Sequence, residues 1–182
     1  MGKAKGTTII NAIKVLRTKK DAARKVLPER LHKYLETERI LISSWYPEED
    51  FLDIVRALAE VIPDPGMDSY EFMGRLSARH DLEGVYANLI RSGDPAATLR
   101  RTTITWGLYH DTGKQAVVES GDNYVVTEIS GYAHPSRESC GTVKGWNAEL
   151  AAMAGGKNIQ VVHEGCVLDG AKACRFKVTW TP

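Results

Sequence analysis

Asn158-Ile-Gln-Val-Val-His163-Glu-Gly-Cys166-Val-Leu-Asp-Gly170-Ala-Lys-Ala-Cys174-Arg-Phe-Lys-Val-Thr-Trp180 is the stretch that decides the fold. Two β-rich runs, Asn158 to Glu164 and Ala173 to Thr179, flank a turn signal at Asp169-Gly170. That pattern is a hairpin, and it closes the chain. Upstream of it, Gln115 to Glu119 and Tyr124 to Ser130 form a second pair of runs, joined by Ser120-Gly121-Asp122-Asn123. Between the hairpins, Pro135-Ser136 opens a helix that runs to Met153 and stops at Gly155-Gly156. Gly141, Gly145, Ala148 and Ala152 form a small-residue stripe, which lets that helix approach a sheet closely.

The preceding two-thirds read as helix. Ile9, Ile10, Ile13 and Leu16 start a helical period, and Leu31, Tyr34 and Leu35 a short second helix. Trp45-Tyr46-Pro47-Glu48-Glu49-Asp50 is a helix start, with Pro47 in the first turn and three carboxylates at the positive end of the helix dipole. That helix continues through Phe51, Ile54, Val55, Leu58 and Val61 to Pro63-Asp-Pro-Gly66. Further helices are expected over 68–79, on Leu82, Val85, Tyr86 and Leu89, and from Asp94-Pro95 through Leu99, Thr103, Trp106 and Tyr109 to near Gly113. The expectation is one α+β domain over 1–182: helices over 1–113, then ββαββ over 114–182 with a four-stranded antiparallel sheet.

Cys140, His163, Cys166 and Cys174 carry the most specific chemistry in the sequence. Zinc takes four ligands in a tetrahedron, and three cysteines with one histidine are a common structural set. A turn at Asp169-Gly170 would bring the sulfurs of Cys166 and Cys174 to neighbouring strand ends. The expectation is a structural Zn2+ with no open position for water. Glu164 and Asp169 are alternatives to His163 as fourth ligand, and buried free thiols or a disulfide are alternatives to the metal.

The pattern from Cys140 through His163-Glu-Gly-Cys166-Val-Leu-Asp-Gly170-Ala-Lys-Ala-Cys174-Arg-Phe176 resembles the vinyl-four-reductase sensor domain of the Bet3-like and haem nitric-oxide-binding superfamily. The resemblance implies a zinc-holding cysteine trio, with His163 where the family usually has glutamate, and sensing of phenols and related molecules. It also implies a homodimer. Ile42-Ser-Ser-Trp-Tyr-Pro-Glu-Glu-Asp-Phe51 and Arg100-Arg-Thr-Thr-Ile-Thr-Trp-Gly-Leu-Tyr-His-Asp111 are similar to a myxobacterial paralogous family of unassigned function.

The aromatic residues Trp45, Tyr46, Phe51, Trp106, Tyr109 and Trp146 are the best pocket material. Trp106 and His110, four apart on one helix face, combine a stacking surface with a hydrogen-bonding ring. Trp106, His110, Tyr109, Trp146 and Trp45 are therefore the expected ligand contacts. Core packing is the competing reading for each of them.

Composition narrows the partners. A formal net charge of +1 gives no global field for nucleic acid, and no apolar run spans a bilayer. The cations cluster instead: Lys3, Lys5, Lys14, Arg17, Lys19, Lys20, Arg24, Lys25, Arg30 and Lys33 face only Asp21 and Glu29 within 1–33, as a solvated helical face or a contact for an acidic partner. An odd cysteine count and the lack of a signal-peptide core point to a cytoplasmic protein. The reading is a zinc-stabilised sensor for a small apolar or aromatic ligand, signalling to a protein partner and having no catalytic residue. A Bet3-like adaptor and a thiol-dependent enzyme are the rivals.

Overall fold

The computed structural model describes residues 2–84 and 86–182. In chain order the elements are β1 (Lys3–Lys5), α1 (Gly6–Thr18), α2 (Lys20–Val26), α3 (His32–Leu35), β2 (Trp45–Pro47), α4 (Glu48–Val61) and α5 (Ser69–Glu83). They continue with α6 (Pro95–Thr102), α7 (Trp106–Tyr109), β3 (Lys114–Gly121), β4 (Tyr124–Ser130), α8 (Arg137–Met153), β5 (Lys157–Gly165) and β6 (Cys174–Thr181). The architecture is α+β, with a four-stranded antiparallel sheet in the order β3-β4-β6-β5.

Local chemistry sets most of the boundaries. The Asp68 carboxylate accepts from the amide of Glu71 at 2.8 Å, and the Asp94 carboxylate accepts from that of Ala97 at 2.8 Å. These two caps start α5 and α6 by satisfying backbone donors that have no partner inside the helix. Ser136 does the same for α8, and Gly155, at φ +100°, ends that turn in a conformation glycine adopts without strain.

Several sequence expectations are corrected. Trp45–Pro47 is not a helix start but a strand, paired antiparallel with Lys3–Lys5, so α4 begins only at Glu48. The helix expected from Asp94 to near Gly113 breaks at Thr103–Thr105, a single 3-10 turn between α6 and α7. The cause is a run of threonines. Thr102, Thr103 and Thr105 turn their hydroxyls back onto the carbonyls of Thr98, Arg100 and Thr102, at 3.1, 2.8 and 2.7 Å. Such bonds compete with the helical ladder. The separate helix expected on Leu82, Val85, Tyr86 and Leu89 does not form. Leu82 belongs to α5, Ala87–Leu89 is a 3-10 turn, and Val85 lies outside the described residues.

Helix α8 lies between the sheet and α5. Its glycines face α5, not the sheet as the stripe had implied: a Cβ at Gly145 would meet the carbonyl oxygen of Glu71, and one at Gly141 the side chain of Tyr70. Ala152 is exposed, while Leu150 and Ala151 pack with Val125, Val178 and Trp180 of the sheet. A second apolar body, built from Ile9, Ile13, Leu16, Leu31, Ile54 and Leu58, holds the N-terminal helices together. Among the described residues, no helix is long and apolar enough to cross a membrane.

Candidate functional site

Between the N-terminal helices and α8 lies a cavity of about 330 Å3. Helix α1 contributes Thr7, Thr8, Asn11 and Val15, and α4 contributes Phe51, Val55 and Leu58. Met73, Leu76 and His80 come from α5, Trp106, Tyr109 and His110 from the α7 segment, and Val143, Trp146 and Asn147 from α8. The wall is apolar and aromatic with a few polar groups, the composition of small-molecule sites. Trp106, Tyr109, His110 and Trp146 are thus brought to one place. Trp45 is not. It stands on β2, 39% exposed, with the Lys5 ammonium 4.4 Å above its ring.

The aromatic residues are held in place by specific contacts. The rings of Trp106 and His110 lie 4.4 Å apart, and Tyr132 meets Trp106 edge-on at 5.1 Å. The Trp106 indole N–H donates to the carbonyl of Thr112 at 2.9 Å. The Tyr109 hydroxyl donates to Asp81 at 2.7 Å, and its ring meets Trp146 at 6.0 Å.

Behind His110 stands a carboxylate. Glu48 is fully buried, and its Oε1 accepts from the Tyr132 hydroxyl at 2.6 Å and lies 3.0 Å from His110 Nδ1. An Nδ1–H donated to that oxygen leaves Nε2 as the free acceptor of the ring, the arrangement by which a carboxylate selects a histidine tautomer. Among the described residues, the other carboxylate oxygen, Oε2, has no partner, and neither has the buried hydroxyl of Thr7. Asn147, 1% exposed, makes one long bond from its amide to Thr127 at 3.4 Å. Glu48, Thr7 and Asn147 escaped the sequence reading. Glu48 looked like a helix-dipole residue, and no local pattern marks a side chain whose partners are 62 and 84 positions away.

Burial pushes both phenols upward, with Asp81 adding to the effect on Tyr109 and Glu48 to that on Tyr132. The folded protein therefore keeps protons that the unfolded chain releases above about pH 10. Stability from this source is complete below that pH and is lost as pH rises. Each phenol should cost about 1.4 kcal/mol per pH unit there. Urea midpoints measured from pH 9 upward should fall steeply, and more gently in Tyr109→Phe; parallel slopes would refute the assignment.

The other expected constellation also assembles. The sulfurs of Cys140, Cys166 and Cys174 lie 3.8 to 3.9 Å from one another, and a His163 ring nitrogen completes a set within 4.8 Å. His163 stacks on Phe176 at 4.4 Å, and its Nε2 is buried without a partner among the described residues. The ring sits below its usual pKa because of burial and then Arg137, while burial and the neighbouring thiols push Cys140 up. The three cysteines belong to a core cluster with Trp106, Ile129 and Phe176.

No protein-family model matches the chain, and no curated protein matches it. Solved structures do. A mutant H-NOX protein from K. algicida, in its unliganded Fe(II) form, superposes with a TM-score of 0.68 over 98% of this chain and 97% of its own, at 12% identity. An H-NOX protein from S. oneidensis in the Fe(II)NO ligation state gives 0.65 over 98% and 99%, at 17% identity. A third structure, solved to probe the function of haem distortion in the H-NOX family, gives 0.67 over 98% and 95%, at 13% identity.

The fold is that of the H-NOX proteins.

This overturns the resemblance drawn from the cysteine pattern. The matched structures are H-NOX proteins, not vinyl-four-reductase or Bet3-like domains. The structural Zn2+ is corrected with it. The metal named for these proteins is iron, with haem named for the family, and four converging donors do not by themselves name an ion.

Haem itself fits the cavity poorly. Haem needs an axial ligand and partners for two propionates. Among the described residues, no lysine or arginine lines this cavity to receive a propionate. Of the two histidines on the wall, His80 is at the exposed rim, bonded to Asp81, and His110, whose Nε2 is free, is flanked by the rings of Phe51, Trp106 and Tyr132. An imidazole without a cation for either propionate does not make a haem site, so the residues present do not fit the group.

Proposed function

We propose that this chain is a sensor-type ligand-binding domain that takes a small, largely apolar molecule, aromatic by preference, and reports its presence through contact with another protein. It is a binding domain, not a catalytic one. The observation that supports this reading most is the cavity itself. It is walled by Phe51, Trp106, Tyr109 and Trp146, with His110 and Asn11 as polar groups on the same wall. An apolar body with a few polar groups to fix orientation is the general form of such sites.

The position of the cavity supports signalling. One wall is α1 and α4, from the N-terminal core, and the other is α8, which rests on the sheet. A ligand touching both walls favours whichever relative arrangement fits it better, and only such differential affinity shifts a population. In the basic N-terminal segment, Lys20, Arg24, Arg30 and Lys33 are paired with Glu36, Asp50, Asp53 and Glu38 of the same chain, which takes much of the charge that an acidic partner would meet. The homodimer loses its support with the resemblance that had implied it.

The test is titration of purified protein with indole and naphthalene, followed by tryptophan fluorescence and calorimetry, with hemin in parallel. The expected result is one site per chain with a micromolar dissociation constant for an aromatic probe, and no stoichiometric hemin complex. Tight 1:1 hemin binding that is lost in His110→Ala would overturn the reading in favour of a haem protein. Failure of every aromatic probe would remove it altogether.

A further inference from the structure

A second cavity of about 130 Å3 lies on the far side of Trp106. Its walls include Ile129, Tyr132, Cys140, Cys174 and Phe176. Two residues line both spaces: Trp106 and, across from it on α8, Val143. The indole is 6% exposed and fixed by the bond to Thr112 and the rings of His110 and Tyr132.

We infer that Trp106 and Val143 are a partition between two lobes of one apolar space, that they set the upper size of the ligand by closing off the thiol-lined lobe behind them, and that this lobe takes the apolar tail of a longer molecule once the partition is cut back. The inference rests on the sensor reading of the larger cavity and extends it. The lobe's chemistry fixes the class of tail. Its walls are mainly aliphatic, aromatic and thiol; the hydroxyls of Ser136 and Ser139 bond to each other, that of Tyr132 is given to Glu48, and neither lobe presents a lysine or arginine. A carboxylate or phosphate entering there would lose its water without gaining a cation. The tail is therefore neutral and apolar: alkyl, aryl, halogen or thioether. Cavities of this size with apolar walls accept such groups readily. Trp106 thereby acts as a specificity-determining residue, because the ring that packs against a small ligand is also the ring that stops a long one.

The n-alkylbenzene series from benzene upward reads this directly. Each added methylene should tighten binding by about fourfold while it is being buried. The gain should stop at a chain length set by the partition. In Val143→Ala, a mild truncation, and in Trp106→Leu, a stronger one, the stop should move to longer chains. With the second lobe fully opened, the stop should lie at least one methylene further out than in the wild type. Filling the second lobe from its far side, by adding Val167→Phe to Val143→Ala, should move the stop back, since Val167 lines only that lobe.

Short members that bind the wild type and a folded Val143→Ala equally, with the same stop in both, would refute the partition while leaving the sensor reading intact. No binding by any member to the wild type would instead refute the sensor reading. An extension that survives Val167→Phe would place the tail elsewhere and also refute the inference.

Discussion

Gly145→Ala should unfold this protein more readily than almost any other single-methyl change. A Cβ at Gly145 would sit 1.9 Å from the carbonyl oxygen of Glu71, and one at Gly74 would sit 2.0 Å from that of Thr142. The two glycines lie on facing helices, α8 and α5, and each backbone rests on the other. Neither obstacle is a flexible side-chain tip, so the methyl is accommodated only if the helices part by more than 1 Å. That separation strains the pair of buried Glu149 with the exposed Arg79, at 2.5 and 2.9 Å, and disturbs Trp146, which lines the cavity from α8. Overpacking of this kind costs about 3 kcal/mol, sometimes more. It far exceeds the roughly 1 kcal/mol that alanine gains over glycine as a helix former. The control is Gly107→Ala in α7, where an added Cβ meets nothing within 4 Å. That change should be neutral or stabilise by a few tenths of a kcal/mol. Chemical denaturation of the two variants beside the wild type decides the matter. A Gly145→Ala protein within 1 kcal/mol of wild type would mean that α5 and α8 do not cross this closely.

Those glycines show what was legible in the sequence and what was not. The stripe on α8 was visible as a pattern, because helical spacing alone puts Gly141, Gly145 and Ala148 near one face. Its partner was not, because nothing local distinguishes a helix from a sheet as the surface that approaches. The β-strands of the last third were legible for the same reason, since two-residue alternation and turn residues are local signals. The expected runs 115–119, 124–130, 158–164 and 173–179 fall within β3 to β6 apart from Ala173, one residue before β6. By contrast, β1 and β2 exist only through pairing of Lys3–Lys5 with Trp45–Pro47 across some forty residues. A tripeptide carries no pattern that announces such a partner. The site divides in the same way. Aromatic residues are identifiable as pocket material one by one, and four of the five named ones line a single cavity. Trp45 looked equivalent until β2 placed it on the surface. Residue type also brought together the cysteines and His163, but it could not name an ion, which is where the zinc expectation exceeded its basis.

The polar centre of the site was the least legible part, and it gives the second large effect. Glu48→Ala should destabilise the protein by about 3–5 kcal/mol, the usual consequence of removing one member of a buried, hydrogen-bonded ionisable group. The carboxylate has no solvent exposure, and its Oε1 serves Tyr132 and His110 together. Truncation leaves a buried phenol and an imidazole N–H without an acceptor, and a void beside Phe51. For a chain of this length the melting temperature should drop by roughly 10 °C or more. Glu48→Gln separates the contributions, because it retains an acceptor at Oε1 while placing an unsatisfied amide where Oε2 already lacks a partner. It should fall between wild type and alanine. The pairing itself is measured by a double-mutant cycle with Tyr132→Phe. If the 2.6 Å bond carries the energy assigned to it, the two changes together should cost at least 1 kcal/mol less than the sum of each alone. Strict additivity would mean that Tyr132 does not depend on Glu48. The same cycle read through ligand affinity connects stability to function. With Glu48 gone, nothing fixes the His110 tautomer, and a probe that donates to Nε2 should lose affinity while an alkylbenzene of equal size should not. The core carboxylate thus decides whether Nε2 of His110 accepts or donates, although Glu48 is not itself part of the cavity lining.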